Sequence, residues 1–239
     1  MAACATPPVD DPIALAEYEA ANDPLEPLNR KVFEVNLFLD RILLKPAAQA
    51  YVWLFPIEFR DAVHNIITNA DEPVNFANAV LQGDAGRAAT AFGRLAINTT
   101  LGVGGMIDVA SDLGLDPVEE DFGQTLAVWG LDSGPYLVLP LFGPATVRDG
   151  FGRVGDFFFD PLTYVLWNTD KDYIGPSILA TTAFDLRSRN LDTLDEIERT
   201  SVDFYATIRS LYQQRRDDLI NNGITPDDED PFISDPFDY

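Results

Sequence analysis

The sequence predicts a mainly α protein built from short amphipathic helices and one small β-hairpin. Two observations support this fold class. Apolar residues recur at helical spacing along successive short segments, and a proline or glycine ends most of those segments. In the middle of the chain, two apolar runs flank the sequence Leu-Asp-Ser-Gly, which is typical of a turn between paired strands.

Prolines and glycines divide the first half of the chain into a series of predicted helices. The sequence predicts helices over residues 27–44, 46–54, 57–69, 72–81 and 85–97, then a glycine-rich turn over 101–105 and a short helix over 106–113. The helix that starts at Pro27 carries apolar residues around most of its circumference. Such a helix is buried on several sides or touches lipid.

The second half combines the predicted hairpin with further helices. Its strands are expected at 125–129 and 136–141, and helices are expected at 147–159, 185–198 and 200–222. The chain is thus divided into a proline-rich tether over residues 1–22, one helical domain over 23–223 and an acidic tail over 224–239. No Lys or Arg follows Arg216, so the tail is expected to be disordered.

The charge balance limits the possible partners of this protein. Its 16 Lys and Arg residues face 39 Asp and Glu residues, which gives a formal net charge of −23. A surface this acidic repels nucleic acid and also the headgroups of anionic lipids. Membrane association then requires apolar insertion or a covalent lipid, and zwitterionic headgroups are easier to accept than anionic ones.

The residues needed for catalysis do not form a recognisable set. His64 is the single histidine and lies on a predicted helix among apolar residues, as a packed side chain does. Neither Ser133 nor Ser177 occupies the G-x-S-x-G motif of serine hydrolases, and residues 102–105 lack the Lys of a phosphate-binding loop. The sequence predicts no enzyme, no cofactor and no metal site, although a site made of carboxylates alone stays open.

The single cysteine, Cys4, follows Met1-Ala2-Ala3. Small residues before a cysteine resemble the end of a bacterial lipoprotein signal, although the apolar segment of such a signal is not part of this sequence. The longest charge-free stretch, 133–147, is interrupted by three prolines, so no transmembrane helix is predicted.

Several segments, taken in order, resemble one family. The matching residues are Asp23-Pro24-Leu25-Glu26-Pro27-Leu28-Asn29-Arg30, Glu72-Pro73, Leu81-Gln82-Gly83-Asp84, Asn98-Thr99-Thr100-Leu101-Gly102-Val103-Gly104-Gly105-Met106-Ile107-Asp108-Val109-Ala110, Phe122-Gly123-Gln124-Thr125-Leu126, Gly134-Pro135-Tyr136, Leu139-Pro140-Leu141-Phe142-Gly143, Arg148-Asp149, Arg187, Leu191-Asp192, Tyr212 and Gln214-Arg215. On these residues the chain resembles the MlaA (VacJ) phospholipid-transport lipoproteins of Gram-negative outer membranes. The acidic end departs from the pattern.

The resemblance implies a ring-like assembly of helices in the inner leaflet of the outer membrane, held at its periplasmic face by acyl chains on Cys4. It implies that mislocalised phospholipid leaves the outer leaflet through a central channel and passes to a soluble periplasmic carrier, which maintains lipid asymmetry. It also implies association with trimeric porins. The alternatives are a structural adaptor that tethers porins or envelope factors without transport, and an undetected lipid hydrolase.

Two sets of residues are candidates for the lipid path and for membrane contact. The candidate gate beside the passage consists of Asn98, Thr99, Thr100, Leu101, Gly102, Gly104 and Gly105. The alternative is that these glycines only cap a helix and allow close packing. The candidate membrane-facing residues are Trp53, Phe55, Phe59, Phe157, Phe158 and Phe159. The alternative is that they form ordinary core.

We predict that Cys4 carries a diacylglyceryl thioether and an acylated amino group. Burial of acyl chains contributes about 0.8 kcal/mol per CH₂, so several chains anchor a protein durably. Mass spectrometry of the native protein should show the added mass on Cys4, and an unmodified Cys4 contradicts the prediction. In cell fractionation, Cys4→Ala should release most of the protein from the outer membrane.

Overall fold

Helices make up most of the chain in the computed structural model, which describes residues 22–169, 171 and 174–223. The helices are α1 Glu26–Leu39, α2 Lys45–Leu54, α3 Ile57–Gln82, α4 Ala85–Thr100, α5 Val109–Asp112, α6 Phe122–Val128, α7 Val147–Phe159, α8 Pro161–Asn168, α9 Gly175–Arg189, α10 Leu191–Thr200 and α11 Phe204–Ile220. The strands are β1 Tyr136–Leu139 and β2 Gly143–Thr146. The mainly α fold class with one small hairpin is confirmed. Cys4, the predicted tether up to residue 21 and the predicted acidic tail lie outside the described residues.

The first helix continues without a break into the second. A π-helical segment, Asp40–Leu44, links α1 to α2, so the helical backbone runs from Glu26 to Leu54. The predicted restart at Pro46 is therefore wrong. The wider π turn ahead of Pro46 accommodates its ring and its missing N–H.

Helix α3 runs unbroken through Pro73, where two separate helices were predicted. A proline inside a helix removes one backbone hydrogen bond and costs about 3 kcal/mol. Packing of α3 against α4 outweighs that cost. The two helices are joined by Gly83, in the left-handed conformation at φ +79°, and by Asp84, whose carboxylate accepts a hydrogen bond from the Arg87 N–H at 2.9 Å. The predicted cap at Asp84 is thus confirmed.

The β-hairpin forms between different residues from those predicted. Strand β1 pairs antiparallel with β2, with Tyr136 opposite Thr146 and Leu139 opposite Gly143. The turn is therefore made by residues 140–142, within the Leu-Pro-Leu-Phe-Gly sequence, and Leu141 adopts a positive φ of +68° there. Strand β2 was not predicted, because its sequence Gly-Pro-Ala-Thr lacks an apolar run.

The segment 125–129 was predicted as a strand, and this prediction is wrong. Residues 125–128 belong to helix α6. The carboxylate of Asp121 caps this helix by accepting a hydrogen bond from the Gln124 N–H at 2.9 Å, and Gly130, at φ +90°, follows its last turn. A cap at one end and a glycine at the other outweigh the strand propensity of a short apolar run.

Helices α6 and α7 cross at a contact between glycines. A Cβ on Gly152 would lie 2.4 Å from the backbone nitrogen of Gly123, and a Cβ on Gly155 would lie 2.3 Å from the ring of Phe122. Only glycine allows the two backbones to approach this closely. The bounds of α7 agree with the helix predicted over 147–159.

The last third of the domain contains more helices than predicted. The predicted helix over 185–198 is instead the end of α9 and most of α10, which Asn190 separates. Helix α8 was missed, although its sequence carries a cap followed by proline: the Asp160 carboxylate accepts hydrogen bonds from the Leu162 N–H at 2.8 Å and the Thr163 hydroxyl at 3.0 Å. The helix predicted over 106–113 is shorter, since only α5 is helical there.

The first described residues are fixed to the hairpin and to α11. The Tyr136 N–H donates to the Asn22 carbonyl at 2.8 Å. Asp23 is 2% exposed, and one of its carboxylate oxygens accepts hydrogen bonds from the Tyr205 hydroxyl and from Arg209, the latter at 3.0 Å. The start of the domain is therefore hydrogen-bonded both to the hairpin and to the last helix, with Asp23, Tyr136 and Tyr205 buried.

Polar side chains are buried in this fold, whereas large apolar side chains are exposed. Most of the buried apolar residues are alanines, and a small cluster forms around Tyr136, Val138 and Tyr205. The exposed residues include Trp53 at 83% and Phe151 at 69%. Exposed apolar surface of this extent marks contact with another protein or with a membrane. Within the described ranges, no helix has both the length and the hydropathy to cross a membrane.

Arg94 joins α3, α4 and the start of α5 through a buried polar network. Its guanidinium donates to Glu72 at 2.6 Å, to Asp108 at 3.1 Å, to the Ser111 hydroxyl at 3.0 Å and to the Leu115 carbonyl at 2.6 Å. The side chains of Arg94 and Glu72 are each 3% exposed. A buried ion pair is tolerated when its remaining donors are also satisfied, as they are here.

We predict that Arg94→Ala lowers the free energy of unfolding by about 3–5 kcal/mol, because it leaves the buried Glu72 carboxylate unpaired. Arg199→Ala is the matched control. Arg199 pairs with Glu196 on the exposed face of α10, and pairs of this kind contribute about 0–1 kcal/mol. Chemical denaturation of both variants in the same detergent measures how much unfolding free energy each one loses. Equal losses would show that the buried Arg94 network stabilises the fold no more than the exposed ion pair does.

Candidate functional site

Three cavities that share lining residues lie between α3, the segment that leads into α6, the hairpin and the helices that follow it. An acidic cavity has a volume of about 540 Å³, an apolar cavity about 1000 Å³ and a side cavity about 420 Å³. Asp160 lines all three, and Arg153, Phe157 and Leu179 line both the acidic and the apolar cavity. We call the three together the interior passage.

The apolar cavity is bounded by the hairpin and by helices α7, α8 and α9. Its wall is mainly hydrocarbon and aromatic, made by Leu139, Phe142, Val154, Phe157, Phe158, Leu162, Leu166, Trp167, Pro176, Ile178 and Leu179. The Phe157 and Trp167 rings pack edge to face with their centroids 5.4 Å apart. A space of this size and lining suits hydrocarbon chains rather than a polar solute.

Carboxylates from three parts of the chain line the acidic cavity. Three of them, Glu119, Glu120 and Asp121, precede α6, and each is paired with an arginine. Asp121 accepts two hydrogen bonds from Arg216, at 2.5 and 2.7 Å. Glu120 pairs with Arg87, and Glu119 with Arg215 at 2.9 Å. These charges are therefore neutralised by the scaffold.

Asp71 and Asp156, which also line the acidic cavity, have no arginine or lysine partner among the described residues. Asp156 accepts hydrogen bonds from the Asn78 side chain at 2.9 Å and the Phe122 N–H at 2.8 Å. Desolvation and the nearby charges of Asp160 and Glu72 raise the pKa of Asp71 to about 6. Desolvation and the charge of Asp121 likewise raise the pKa of Asp156 to about 6. The surroundings therefore disfavour the ionised form of both groups. Asp71 is nevertheless exposed to solvent, and the charge of Arg216 favours ionised Asp156.

Arg153 is the basic residue on the wall shared by the acidic and apolar cavities. It lies three residues before Asp156 on α7, so the two project from the same face of that helix. Its guanidinium donates to the Phe142 and Pro144 carbonyls at 3.5 and 3.0 Å, and no carboxylate of the described chain forms an ion pair with it. Donors therefore remain available for an anion.

The candidate gate lies away from these cavities, since none of its residues lines them. Asn98 is buried, donates to Asp108 at 2.9 Å and accepts from the Ala110 N–H at 2.9 Å. A Cβ on Gly102 would lie 2.1 Å from the Ile107 carbonyl oxygen. These contacts give Asn98 and Gly102 structural roles in shaping the turn.

The other residues of the candidate gate make fewer contacts with the rest of the fold. Thr99 accepts a hydrogen bond from Asn69 at 3.1 Å, and Thr100 donates within its own helix at 2.6 Å. Leu101 is 63% exposed, and a Cβ on Gly104 would meet nothing within 4 Å. Gly105, at φ +90°, packs against Asn69. Gating by this turn stays a prediction.

The candidate membrane-facing aromatics fall into two groups. Trp53, Phe55 and Phe59 are exposed where α2 meets α3, with the Phe55 and Phe59 rings stacked at 4.7 Å. Phe157 and Phe158 are also exposed, yet both line the apolar cavity. Phe159 is half-buried and packs against Phe122, with ring centroids 5.5 Å apart.

The charged residues of the passage were missed at the level of sequence. In the sequence, Arg153 and Asp156 are charged residues between the apolar positions of α7. This pattern was the only sequence feature that could have marked them as candidates. Asp71 carries no comparable signal, because α3 has polar residues on most of its turns. Its position beside Asp156 and Asp160 follows only from the packing of α3 against the later helices.

His64 pairs with Asp185, with its Nδ1 2.7 Å from the carboxylate. Among the described residues, no serine or threonine hydroxyl bonds to its other ring nitrogen. The pair links α3 to α9. That His64 is a packed helix residue rather than a base stays a prediction.

Comparison with known proteins relates this chain to a lipoprotein family. A family profile described as MlaA lipoprotein matches residues 21–219. The chain is 34% identical to the intermembrane phospholipid transport system lipoprotein MlaA of Escherichia coli, covering 90% of this chain and 85% of that protein. It is 35% identical to the protein of the same name from Haemophilus influenzae, with 84% and 80% covered.

A solved structure is similar over most of the fold. That structure, described as the structural basis for maintenance of bacterial outer membrane lipid asymmetry, has a TM-score of 0.74 and 34% sequence identity. The similarity covers 83% of this chain and 99% of the other.

We predict that Asp71→Asn raises the melting temperature at pH 8. The unfolded carboxyl has a pKa of about 3.9, whereas the pKa in the folded protein is about 6. Above pH 6 both states are ionised, and the folded state carries the cost of partial desolvation and of the nearby Asp160 and Glu72 charges, reduced because Asp71 is exposed to solvent. As the pH falls from about 6 to about 4 that cost disappears, so the advantage of the variant should shrink across this range. A melting temperature below that of the native protein at pH 8 contradicts the prediction.

Proposed function

Because the chain belongs to the MlaA lipoprotein family, we propose that it removes mislocalised phospholipid from the outer leaflet of the outer membrane through the interior passage. The lipid then passes to a soluble periplasmic carrier, which maintains the asymmetry of the membrane. The observation that carries this proposal is an apolar cavity adjoining a charged one, in a protein that also exposes many large apolar side chains. A phospholipid has the same two parts, acyl chains and a charged headgroup.

The arrangement supports movement of the lipid without covalent chemistry. A headgroup in hydrocarbon loses its hydration, and the cost is large unless polar groups replace the water. Arg153 and Asp160 line both the acidic and the apolar cavity, so a headgroup can stay beside polar atoms while the chains follow the apolar wall. The function is therefore transport rather than catalysis, and it requires no cofactor.

The exposed apolar side chains support a position in the inner leaflet of the outer membrane, facing the periplasm. Apolar residues on short helices can bury themselves in one leaflet without crossing the bilayer. Trp53, Phe55 and Phe59 are then membrane-facing, and acyl chains on Cys4 hold the protein in place. The net charge of −23 favours such apolar attachment over electrostatic attraction to the membrane surface.

The proposed partners are a trimeric porin and the periplasmic lipid carrier. A porin would cover part of the exposed apolar surface within the membrane, where Leu141 and Phe151 are 76% and 69% exposed. The carrier must take the lipid where the passage opens to the periplasm. An adaptor that only tethers porins has no use for a cavity of about 1000 Å³ suited to hydrocarbon chains.

Transfer of labelled phospholipid from vesicles to a soluble periplasmic acceptor tests the proposal. We predict that Leu179→Trp in the full-length lipidated protein reduces transfer several-fold, because the larger side chain fills the wall shared by the acidic and apolar cavities. Leu186→Trp is the matched control: Leu186 lies on the same helix, is 64% exposed and lines none of the three cavities. Its transfer should remain near that of the native protein.

Each result of this assay separates the possible functions. Unchanged transfer by Leu179→Trp, with the variant folded, would remove the interior passage from the path. Porin binding by the native protein without any transfer supports the adaptor. Release of lysolipid or fatty acid supports a hydrolase.

A further inference from the structure

We propose that the interior passage binds a diacyl phospholipid with its two acyl chains apart, one in the apolar cavity and the other in the side cavity. The protein then selects phospholipids with two chains over their one-chain lyso forms. This inference rests on the proposed transport function and adds the substrate class and the place of each chain. It is carried by the arrangement of the three cavities, the chemistry of the side-cavity wall and the position of Arg153.

The three cavities share lining residues in every pairwise combination. Asp160 lines all of them, and its carboxylate caps α8 by accepting hydrogen bonds from the Leu162 N–H at 2.8 Å and the Thr163 hydroxyl at 3.0 Å. The acidic and apolar cavities further share Arg153, Phe157 and Leu179, the acidic and side cavities share Asp71, and the apolar and side cavities share Leu162, Ile178 and Thr182. The passage therefore has three arms that meet at the start of α8.

A diacyl phospholipid has the same number of arms. Two acyl chains and a phosphate headgroup branch from its glycerol backbone, whereas a lysophospholipid carries one chain. The apolar and side cavities have volumes of about 1000 and 420 Å³, and both lie within the range of about 300–1,000 Å³ that small ligands occupy in proteins. With one chain in each, neither cavity is left to water.

The wall of the side cavity suits hydrocarbon. Its apolar lining comes from α3, α8 and α9 and consists of Val63, Ile66, Ile67, Ala70, Leu162 and Ile178. The hydroxyls of Thr181 and Thr182 donate to main-chain carbonyls of their own helix, at 2.9 and 3.1 Å. A water molecule in a cavity needs about two to four polar partners, and these engaged hydroxyls offer few. The carboxylates of this cavity, Asp71 and Asp160, are those that it shares with the acidic cavity.

Arg153 sets the direction of the lipid. It lines the acidic and apolar cavities but not the side cavity, and its guanidinium donates to the Phe142 and Pro144 carbonyls at 3.5 and 3.0 Å. Arginine binds phosphate through charge-assisted hydrogen bonds. With the phosphate at Arg153, the glycerol backbone lies beside Asp160, where the chains diverge into the apolar and side cavities.

Retention of lipid from mixed micelles tests this inference. The full-length lipidated protein is incubated with equal amounts of phosphatidylethanolamine and lysophosphatidylethanolamine, and mass spectrometry gives the ratio of the two lipids that stay bound. The native protein should retain the two-chain form in roughly tenfold excess, because the second chain removes further apolar surface from water. A ratio close to one would overturn the inference.

Two substitutions fill the side cavity from different helices. Ala70 of α3 and Thr181 of α9 are exposed, and each lines the side cavity but neither of the other two. Ala70→Phe and Thr181→Phe should each bring the ratio close to one, by lowering retention of the two-chain form and leaving the one-chain form bound. Melting temperatures confirm that each variant is folded.

Val80→Phe is the matched control. Val80 also lies on α3, is 54% exposed and lines none of the three cavities, so this variant should keep the native ratio. A ratio lowered equally by Val80→Phe would overturn the assignment of a chain to the side cavity.

Photocrosslinking locates the chains directly. Phosphatidylethanolamine with a photoactivatable group at the end of each chain should label the protein near Ile67, which lines the side cavity, and near Trp167, which lines the apolar cavity. Labelling near Trp167 alone would place both chains in the apolar cavity and overturn the inference.

The outcomes separate this inference from the function on which it rests. A native protein that transfers phospholipid but retains the two forms equally overturns the two-chain site and leaves transport intact. A native ratio that survives in both folded side-cavity variants overturns the assignment to that cavity. A native protein that neither retains nor transfers lipid overturns the inference and the transport function together.

Discussion

Buried arginines occupy the places that large aliphatic side chains fill in most protein cores. Arg94 holds α3 and α4 together, Arg216 joins α11 to Asp121 and to Asp149 at 2.9 Å, and Arg187 bonds Asp40 at 2.7 Å. Each buried guanidinium needs a carboxylate partner, because a buried charge without a partner costs several kcal/mol. Directional bonds of this kind fix the helices in register, which frees the leucines, phenylalanines and tryptophans to face outward or into a cavity.

In the passage, two carboxylates have no such ion-pair partner among the described residues. The carboxylates before α6 are all matched, yet Asp71 and Asp156, a short way along the same wall, are left with raised pKa values and no cation. Functional sites often hold groups that a more stable protein would not tolerate. The stability of the surrounding arginine network is what allows the fold to carry this local cost.

Local signals in the sequence predict much of the secondary structure and little of the site. The cap at Asp84 and the apolar spacing of α7 give correct elements, since both act within a few residues. The hairpin and the helix through Pro73 were mispredicted because packing against distant segments decides them. Periodicity identifies the apolar face of a helix but does not tell whether that face points into the protein or away from it. The sequence therefore could not decide whether the aromatic side chains are exposed. That Asp71 and Asp156 line the same cavity depends on tertiary structure alone.

The way in which the domain begins has a mechanical consequence. Asn22 is hydrogen-bonded to the hairpin, and Asp23 to Tyr205 and Arg209 of the last helix. Any tension transmitted from the N-terminal side therefore enters the fold where its first and last parts are bonded to each other. The force is then shared between the first and last parts of the domain, and it does not act on α1 alone. If Cys4 carries the proposed acyl anchor, this sharing of the force limits how far motion of the anchor disturbs the helices around the passage.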